Sequence, residues 1–230
     1  MTTSTYNVIR INDFSWRIED GAVRMFLFVG DRKALLVDTG FGTGNVRECI
    51  EEITDKPVIV INTHGDNDHT GCNNLFEEVY MHPSEFAYYQ QLSNSNIRLL
   101  PIYENDVIDI GGTSFEVILL PGHTPGSIAL LDRKNKVLVS GDSVSTSSVF
   151  MFGPGRSLNS FMESMKKLQK MKSDFDIVYP SHGEFGIAND VVDALISAAE
   201  ELRDGKIPAQ EPTIKIPAKM YRSGGVGFYY

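Results

Sequence analysis

The stretch VIVINTHGDNDHTG, residues 58–71, decides the reading of this chain. Val58, Ile59, Val60 and Ile61 form a short, unbroken β-branched run, the pattern of a strand buried on both faces. The run then stops, and His64, Asp66, Asp68 and His69 follow within a few positions of it. The same order recurs downstream. FEVILL (115–120) leads to Pro121-Gly122-His123, KVLVS (136–140) to Gly141-Asp142, and DIVYP (176–180) to Ser181-His182. Four of the five histidines therefore stand just past a strand, where strands of one sheet bring loop residues together on a rigid base.

Outward from these points the pattern alternates β-rich runs with helical ones, which predicts mixed α/β layers. YNVIRI (6–11), AVRMFLFVG (22–30) and KALLVD (33–38) read as strands between Asn/Asp and Gly/Asp turns. Val46, Cys49, Ile50 and Ile53 fall at the spacing of an amphipathic helix. SIALLD and KVLVS, joined by RKN, read as a hairpin. Leu158, Phe161, Met162, Met165 and Leu168 form a second helical stripe. A third helix is expected from Asn189, taken as its N-cap, to Arg203, with Gly205 as its stop. The tail EPTIKIPAKMYRSGGVGFYY is extended, and its last residues read as either a final strand or a partner-contacting segment.

The chain has 230 residues, read as a single domain over 1–230, and is 42% hydrophobic and 22% charged, which excludes wholesale disorder. A formal charge of −9 disfavours nucleic acid as the main partner. No apolar run is long enough to span a bilayer. The first residues lack a basic segment followed by an apolar one, so no export signal is read and a cytoplasmic location is expected. Two cysteines exclude a disulfide scaffold or a cysteine-based zinc site. The expected partner is a small-molecule substrate, with a second copy of the chain left open.

Imidazole and carboxylate are the ligands that zinc, iron and manganese accept. His64, Asp66, Asp68, His69, His123, Asp142 and His182 offer more ligands than one tetrahedral ion uses. Two ions would use them all, and such a pair acidifies the water between them and clamps a developing oxyanion, which is the equipment of hydrolysis.

The ordered set resembles the metallo-β-lactamase superfamily, whose signature is H-x-H-x-D-H after a strand, then a distant His, an Asp and a final His. Here it runs His64-x-Asp66-x-Asp68-His69, then His123 in PGHTPGS, Asp142 in SGDS and His182 in PSHG, over roughly residues 5–185. The turn Asp38-Thr39-Gly40 also looks like the family's. The resemblance implies an αββα sandwich of two mixed sheets flanked by helices, with a dinuclear site at one edge. It implies His64, Asp66 and His123 on one ion, Asp68, His69 and His182 on the other, and Asp142 as the bridge. It also implies hydrolysis of a small ester, thioester or lactone, with Asp68 and Asp142 as the residues nearest the reacting water. Asp66 departs from the pattern, because most members carry histidine there. Direct ligation and a role in orienting His64 or a water both remain open for it. An extra carboxylate tilts selection from zinc toward iron or manganese. It also keeps open a diiron protein handling oxygen or nitric oxide with a separate electron donor, and a small-nucleotide phosphodiesterase is a further alternative.

Bland readings fit several other residues. Asp66, Asp68, Thr70, Gly71 and Glu77 nearly spell a calcium loop, but a strand stands where that loop needs a helix. His82 and Cys72 are read as structural, Asp38 as a support for the loop, and Gly40, Gly42 and Gly44 as turn residues. Neither Ser140 nor Ser143 lies in a nucleophile elbow. Phe150, Met151 and Phe152 are either core or a pocket wall. Phe14 and Trp16 are candidates for a flap, and Tyr221 or Tyr229 for a proton donor.

Overall fold

A computed structural model describes residues 6–93 and 96–230. Residues 1–5, the start of the segment read as lacking an export signal, lie outside it. The chain divides into two compact units, Met1–Val117 and Ile118–Tyr230.

The first unit carries β1 (Asn7–Arg10), β2 (Ser15–Asp20), β3 (Val23–Val29), β4 (Ala34–Val37), α1 (Val46–Glu51), β5 (Val58–Ile61), α2 (Asn67–Thr70), β6 (Glu78–Met81), α3 (Phe86–Leu92), β7 (Arg98–Pro101) and β8 (Val107–Asp109). β9 (Ser114–Leu119) pairs antiparallel with β8 and runs across the boundary. β1 to β7 form one sheet in chain order, antiparallel up to β4 and parallel from β4 to β7. The change of direction is what the site needs. β4 and β5 lie parallel with Val37 opposite Ile61, so the residues after both strands emerge side by side. Asp38 N–H donates to the Ile61 carbonyl at 2.9 Å and locks that junction. Val46, Cys49 and Ile50 of α1 are buried in a cluster with Leu27, Leu36 and Val60, as the helical spacing predicts. Trp16, a flap candidate, packs against this same cluster, while Phe14 lies 6.4 Å from Phe28, centroid to centroid.

The second unit carries β10 (Ile128–Asp132), β11 (Val137–Gly141), β12 (Ser148–Phe150), α4 (Leu158–Lys170), β13 (Ile177–Pro180), β14 (Ile187–Ala188), α5 (Val191–Arg203), β15 (Met220–Ser223) and β16 (Val226–Tyr229). β10 and β11 are the expected hairpin. β11 and β13 lie parallel and end together, Gly141 opposite Pro180. Asp142 and His182 thus leave from neighbouring strand ends, and Ser181 N–H donates to the Gly141 carbonyl at 3.1 Å. The five stripe residues of α4 are all buried in the unit's core.

Two expectations resolve here. The last helix begins at Val191 after Asp190, not after Asn189 as its cap. The Asn189 side-chain amide instead donates to the Lys172 and Phe175 carbonyls, which better satisfies buried backbone than a helix end would. Its C-terminus is as expected. Gly205 takes a φ of +68°, its N–H bonds to Leu202 O and Lys206 N–H to Glu201 O, the paired bonds of a Schellman stop. The tail is a final strand. Gly224 and Gly225, at φ of +58° and +83°, make the two-residue turn from β15 to β16. β16 then pairs parallel with β12 and is buried throughout.

Phe228 of β16 is fully buried, with its ring edge-on to Phe161 at 5.4 Å. Phe228→Ala is expected to cost about 3–5 kcal/mol, read as a lowered urea midpoint with the folded spectrum retained. An unchanged midpoint would mean that β16 adds nothing to the core.

Candidate metal centre

In the first unit, the motif of residues 64–69 is braced by the buried carboxylate of Asp38. Asp38 ends β4, is fully buried and takes a left-handed φ of +63°. That turn brings its oxygens back onto the loop after β5. Oδ1 accepts from Thr63 N–H at 2.7 Å, and Oδ2 lies 2.9 Å from Thr63 Oγ1 and 2.8 Å from His69 Nδ1. Asp38 is thus the loop support that the sequence suggests.

These contacts fix two tautomers. An ionised carboxylate only accepts, so His69 donates from Nδ1 and keeps its lone pair on Nε2. Thr63 likewise donates its hydroxyl proton to Asp38. Its oxygen is then the acceptor for His64 Nδ1 at 3.0 Å, which leaves the His64 lone pair on Nε2 as well. Each Nε2 faces a carboxylate of the motif, His64 toward Asp66 Oδ2 and His69 toward Asp68 Oδ2, both at 3.5 Å. The two rings lie 4.0 Å apart between centroids, both buried.

The second unit repeats the arrangement. The His123 ring is buried, and its Nδ1 donates to the Phe150 carbonyl at 2.9 Å, an acceptor that admits no other direction. Its Nε2 lies 3.7 Å from Asp142 Oδ2, and His182 Nε2 lies 3.4 Å from Asp142 Oδ1. Asp142 therefore offers one oxygen to each of two histidines. Gly122 permits this placement: a Cβ there would stand 2.5 Å from Phe161 Cα.

A lone-pair nitrogen facing a carboxylate oxygen is unfavourable unless a proton or a cation lies between them. Oxygen and imidazole donors in this pattern suit a divalent ion, and the Nδ1 partners are those that orient metal-binding histidines and raise their basicity. The residues fit a metal.

Several supports escape a reading of sequence alone. Glu85 is fully buried, and its Oε2 accepts from Gly65 N–H at 2.9 Å, between His64 and Asp66. Asn62 Nδ2 donates to the His69 carbonyl at 2.9 Å and is itself bonded by Asn73. Their only signal is polarity at positions the fold buries. His82 lies apart from the motif: its Nδ1 accepts from Ser84 N–H, and burial lowers its pKa. Gly71 is no calcium-loop turn. It has a φ of −62°, and a Cβ there would meet the Phe41 backbone at 2.2 Å. Ser140 donates to the Val144 carbonyl at 2.8 Å, so it is no nucleophile. The Tyr229 hydroxyl is 3.4 Å from Thr213 Oγ1, and Tyr221 packs on the core, so neither is placed as a proton donor. Met151 is core, whereas Phe150 and Phe152 are half-buried.

A family model described as the metallo-beta-lactamase superfamily matches residues 18–182. The chain belongs to that superfamily. It is 25% identical over 197 residues to acyl-coenzyme A thioesterase MBLAC2 of Gallus gallus, covering 69% of this chain and 71% of that one. Over 180 residues it is 25% identical to hydroxyacylglutathione hydrolase GloC of Haemophilus influenzae, covering 67% of this chain and 82% of that one. Among solved structures it is similar to a metallo-beta-lactamase from Pontibacter korlensis, with a TM-score of 0.73, 20% identity, and coverage of 85% of this chain and 99% of that one. The fold is the superfamily's α/β sandwich of mixed sheets flanked by helices, and the protein is a metallo-hydrolase. Members generally bind divalent metals. Among the described residues no helix is long and apolar enough to cross a membrane.

Asp38→Asn tests the support for the ligands. Replacing one Asp38 oxygen by an amide disturbs the contacts that hold Thr63 and His69, and metal affinity is expected to fall by about 10- to 100-fold. Competition against a chromophoric chelator measures this, and wild-type affinity in the variant would show that Asp38 does not set the ligands.

Proposed function

We propose that this metallo-hydrolase cleaves a small thioester, using His64, Asp66 and His123 on one divalent ion, Asp68, His69 and His182 on a second, and Asp142 on both. The observation that carries the metal reading is the fixed Nδ1–H of His64, His69 and His123, which turns each Nε2 lone pair toward a carboxylate. Asp142, facing two histidines with its two oxygens, supports the bridging role. The thioester reading is supported by the relatives, whose names specify acyl-coenzyme A and hydroxyacylglutathione, both substrates with a thioester bond.

When bound, the ions supply Lewis acidity toward the carbonyl oxygen and an acidified water as nucleophile. The chain's own residues hold and orient. Asp38 and the Phe150 carbonyl hold the Nδ1 side of His69 and His123, which leaves Nε2 of each ring as the ligand atom. Glu85 holds the Gly65 amide, so His64 and Asp66 keep their spacing. Asp68, partly exposed beside His69, would orient the attacking water and accept its proton. The thiol is a good leaving group and needs little help from an acid. Asp66, at 3.5 Å from His64 Nε2, is read as a direct ligand.

Two outcomes test this proposal. His69→Ala and Asp142→Ala should each lower hydrolysis of acyl-coenzyme A and acylglutathione by orders of magnitude and reduce bound metal, with the folded spectrum kept. Near-normal turnover in both would place the reaction elsewhere. Elemental analysis of protein purified without added metal should find iron or manganese besides zinc, because Asp66 adds a hard oxygen donor. Two tight zinc ions with full activity on zinc alone would remove that tilt.

A further inference from the structure

The second unit holds a cavity of 650 Å³ lined by Met151, Phe152, Arg156, Leu158, Arg203 and Tyr230, together with the first residues of α4. Its chemistry is unusual for this chain. The protein carries a formal charge of −9, yet the side chains lining the cavity include two guanidinium groups and no Asp or Glu. Arg203 Nε does donate to the neighbouring Asp204 at 3.0 Å, but that carboxylate is shared with Lys206 Nζ at 3.0 Å, so the cluster stays positive. α4 points its N-terminus here. It is a 13-residue helix, capped by the Ser157 hydroxyl and with no acid in its first turn, so its dipole adds to the attraction for an anion.

Two flat rings complete the cavity. Phe152 is half-buried, its ring 5.6 Å from that of Phe150 and tilted by 36° to it. Tyr230 is 52% exposed, and its backbone is tied in both directions to Lys219, at 2.9 and 3.0 Å, which anchors the residue beside the cavity. Aromatic faces beside guanidinium groups are what a phosphorylated nucleobase requires.

The cavity is also tethered to the ligand cluster. Phe150 carries the carbonyl that accepts from His123 Nδ1, and Phe152 is two residues further along the same extended segment, about 7 Å at the rise of a strand. A ligand with phosphates and a base in the cavity and a thioester near His123 must carry a linker between the two. An acylglutathione has neither base nor phosphate; an acyl-coenzyme A has both, and a pantetheine arm between them and the sulfur.

We infer that this cavity seats the phosphorylated nucleotide of an acyl-coenzyme A, with Arg156 and Arg203 on phosphate and Phe152 and Tyr230 against the base. The inference rests on the thioester reading above and narrows it to one class of substrate.

The test titrates desulfo-coenzyme A, which has no thiol to bind metal, into the metal-loaded wild type and into Arg156→Gln, Arg203→Gln and Phe152→Ala. Alongside, kcat and KM are measured for acetyl-coenzyme A and for S-acetyl-N-acetylcysteamine, which keeps the thioester and lacks the nucleotide. Binding to the wild type is expected, weakened by about tenfold or more in each arginine variant, since charge-assisted contacts to phosphate are lost. The wild type should prefer acetyl-coenzyme A in kcat/KM, and the variants should lose that preference through KM. Arg203 is exposed, so its variant tests the cavity even where a change at half-buried Arg156 disturbs folding. Absent binding in the wild type, or equal binding in all variants, overturns the inference. Cleavage of the truncated thioester with no preference for acetyl-coenzyme A overturns it too, while leaving the thioester reading in place. Cleavage of neither ester, with binding that the variants lose, keeps the cavity's assignment and rejects thioester hydrolysis.

Discussion

A buried carboxylate that can only accept hydrogen bonds governs this structure. Asp38 is fully buried between Thr63 and His69, and both its oxygens are engaged by them. An isolated charge in that position would cost several kcal/mol, so the loop after β5 has to fold back and supply donors. The same demand sets the backbone of Asp38 itself. A left-handed φ of +63° costs on the order of 1 kcal/mol in a non-glycine residue, and hydrogen bonds to the neighbouring loop offset it. From that contact follow the His69 tautomer, the role of Thr63 toward His64, and the direction in which both rings present a lone pair.

The two units reach similar results by one topological device. In each, two parallel strands end side by side, and the candidate ligands or their support leave from the adjoining ends: β4 and β5 for Asp38 and the motif, β11 and β13 for Asp142 and His182. Parallel pairing needs a crossover, which α1 supplies in the first unit and α4 in the second. The packing of these helices therefore also positions the chemistry. Gly122 shows how tightly: the segment that carries His123 passes so close to Phe161 of α4 that a methyl group would collide with it.

Much of this was legible in the sequence because buried parallel strands leave an unbroken apolar run and their ends leave polar residues. Val58 to Ile61, Val137 to Gly141 and Ile177 to Pro180 are strands where those runs stand. Shorter strands were not legible. β6, β7 and β12 span three or four residues and mix polar with apolar, so neither length nor alternation marks them. Asn189 misleads because its amide has a better use than a helix cap, in the Lys172 and Phe175 carbonyls. At the site, ligand types and spacing show in one dimension, whereas the supports do not. Glu85 is separated from Gly65 by α2 and β6, and the Phe150 carbonyl carries no side-chain signature at all.

The central claim is that three histidines are held as Nδ1–H tautomers by acceptors fixed in the fold. Nitrogen-15 correlation spectra of the imidazole rings, recorded on metal-free protein at neutral pH and again after loading with zinc, test it most directly. The account predicts that His64, His69 and His123 carry their proton on Nδ1 in both states, and that metal perturbs Nε2 alone. Rings protonated on Nε2, or metal bound through Nδ1, would contradict it.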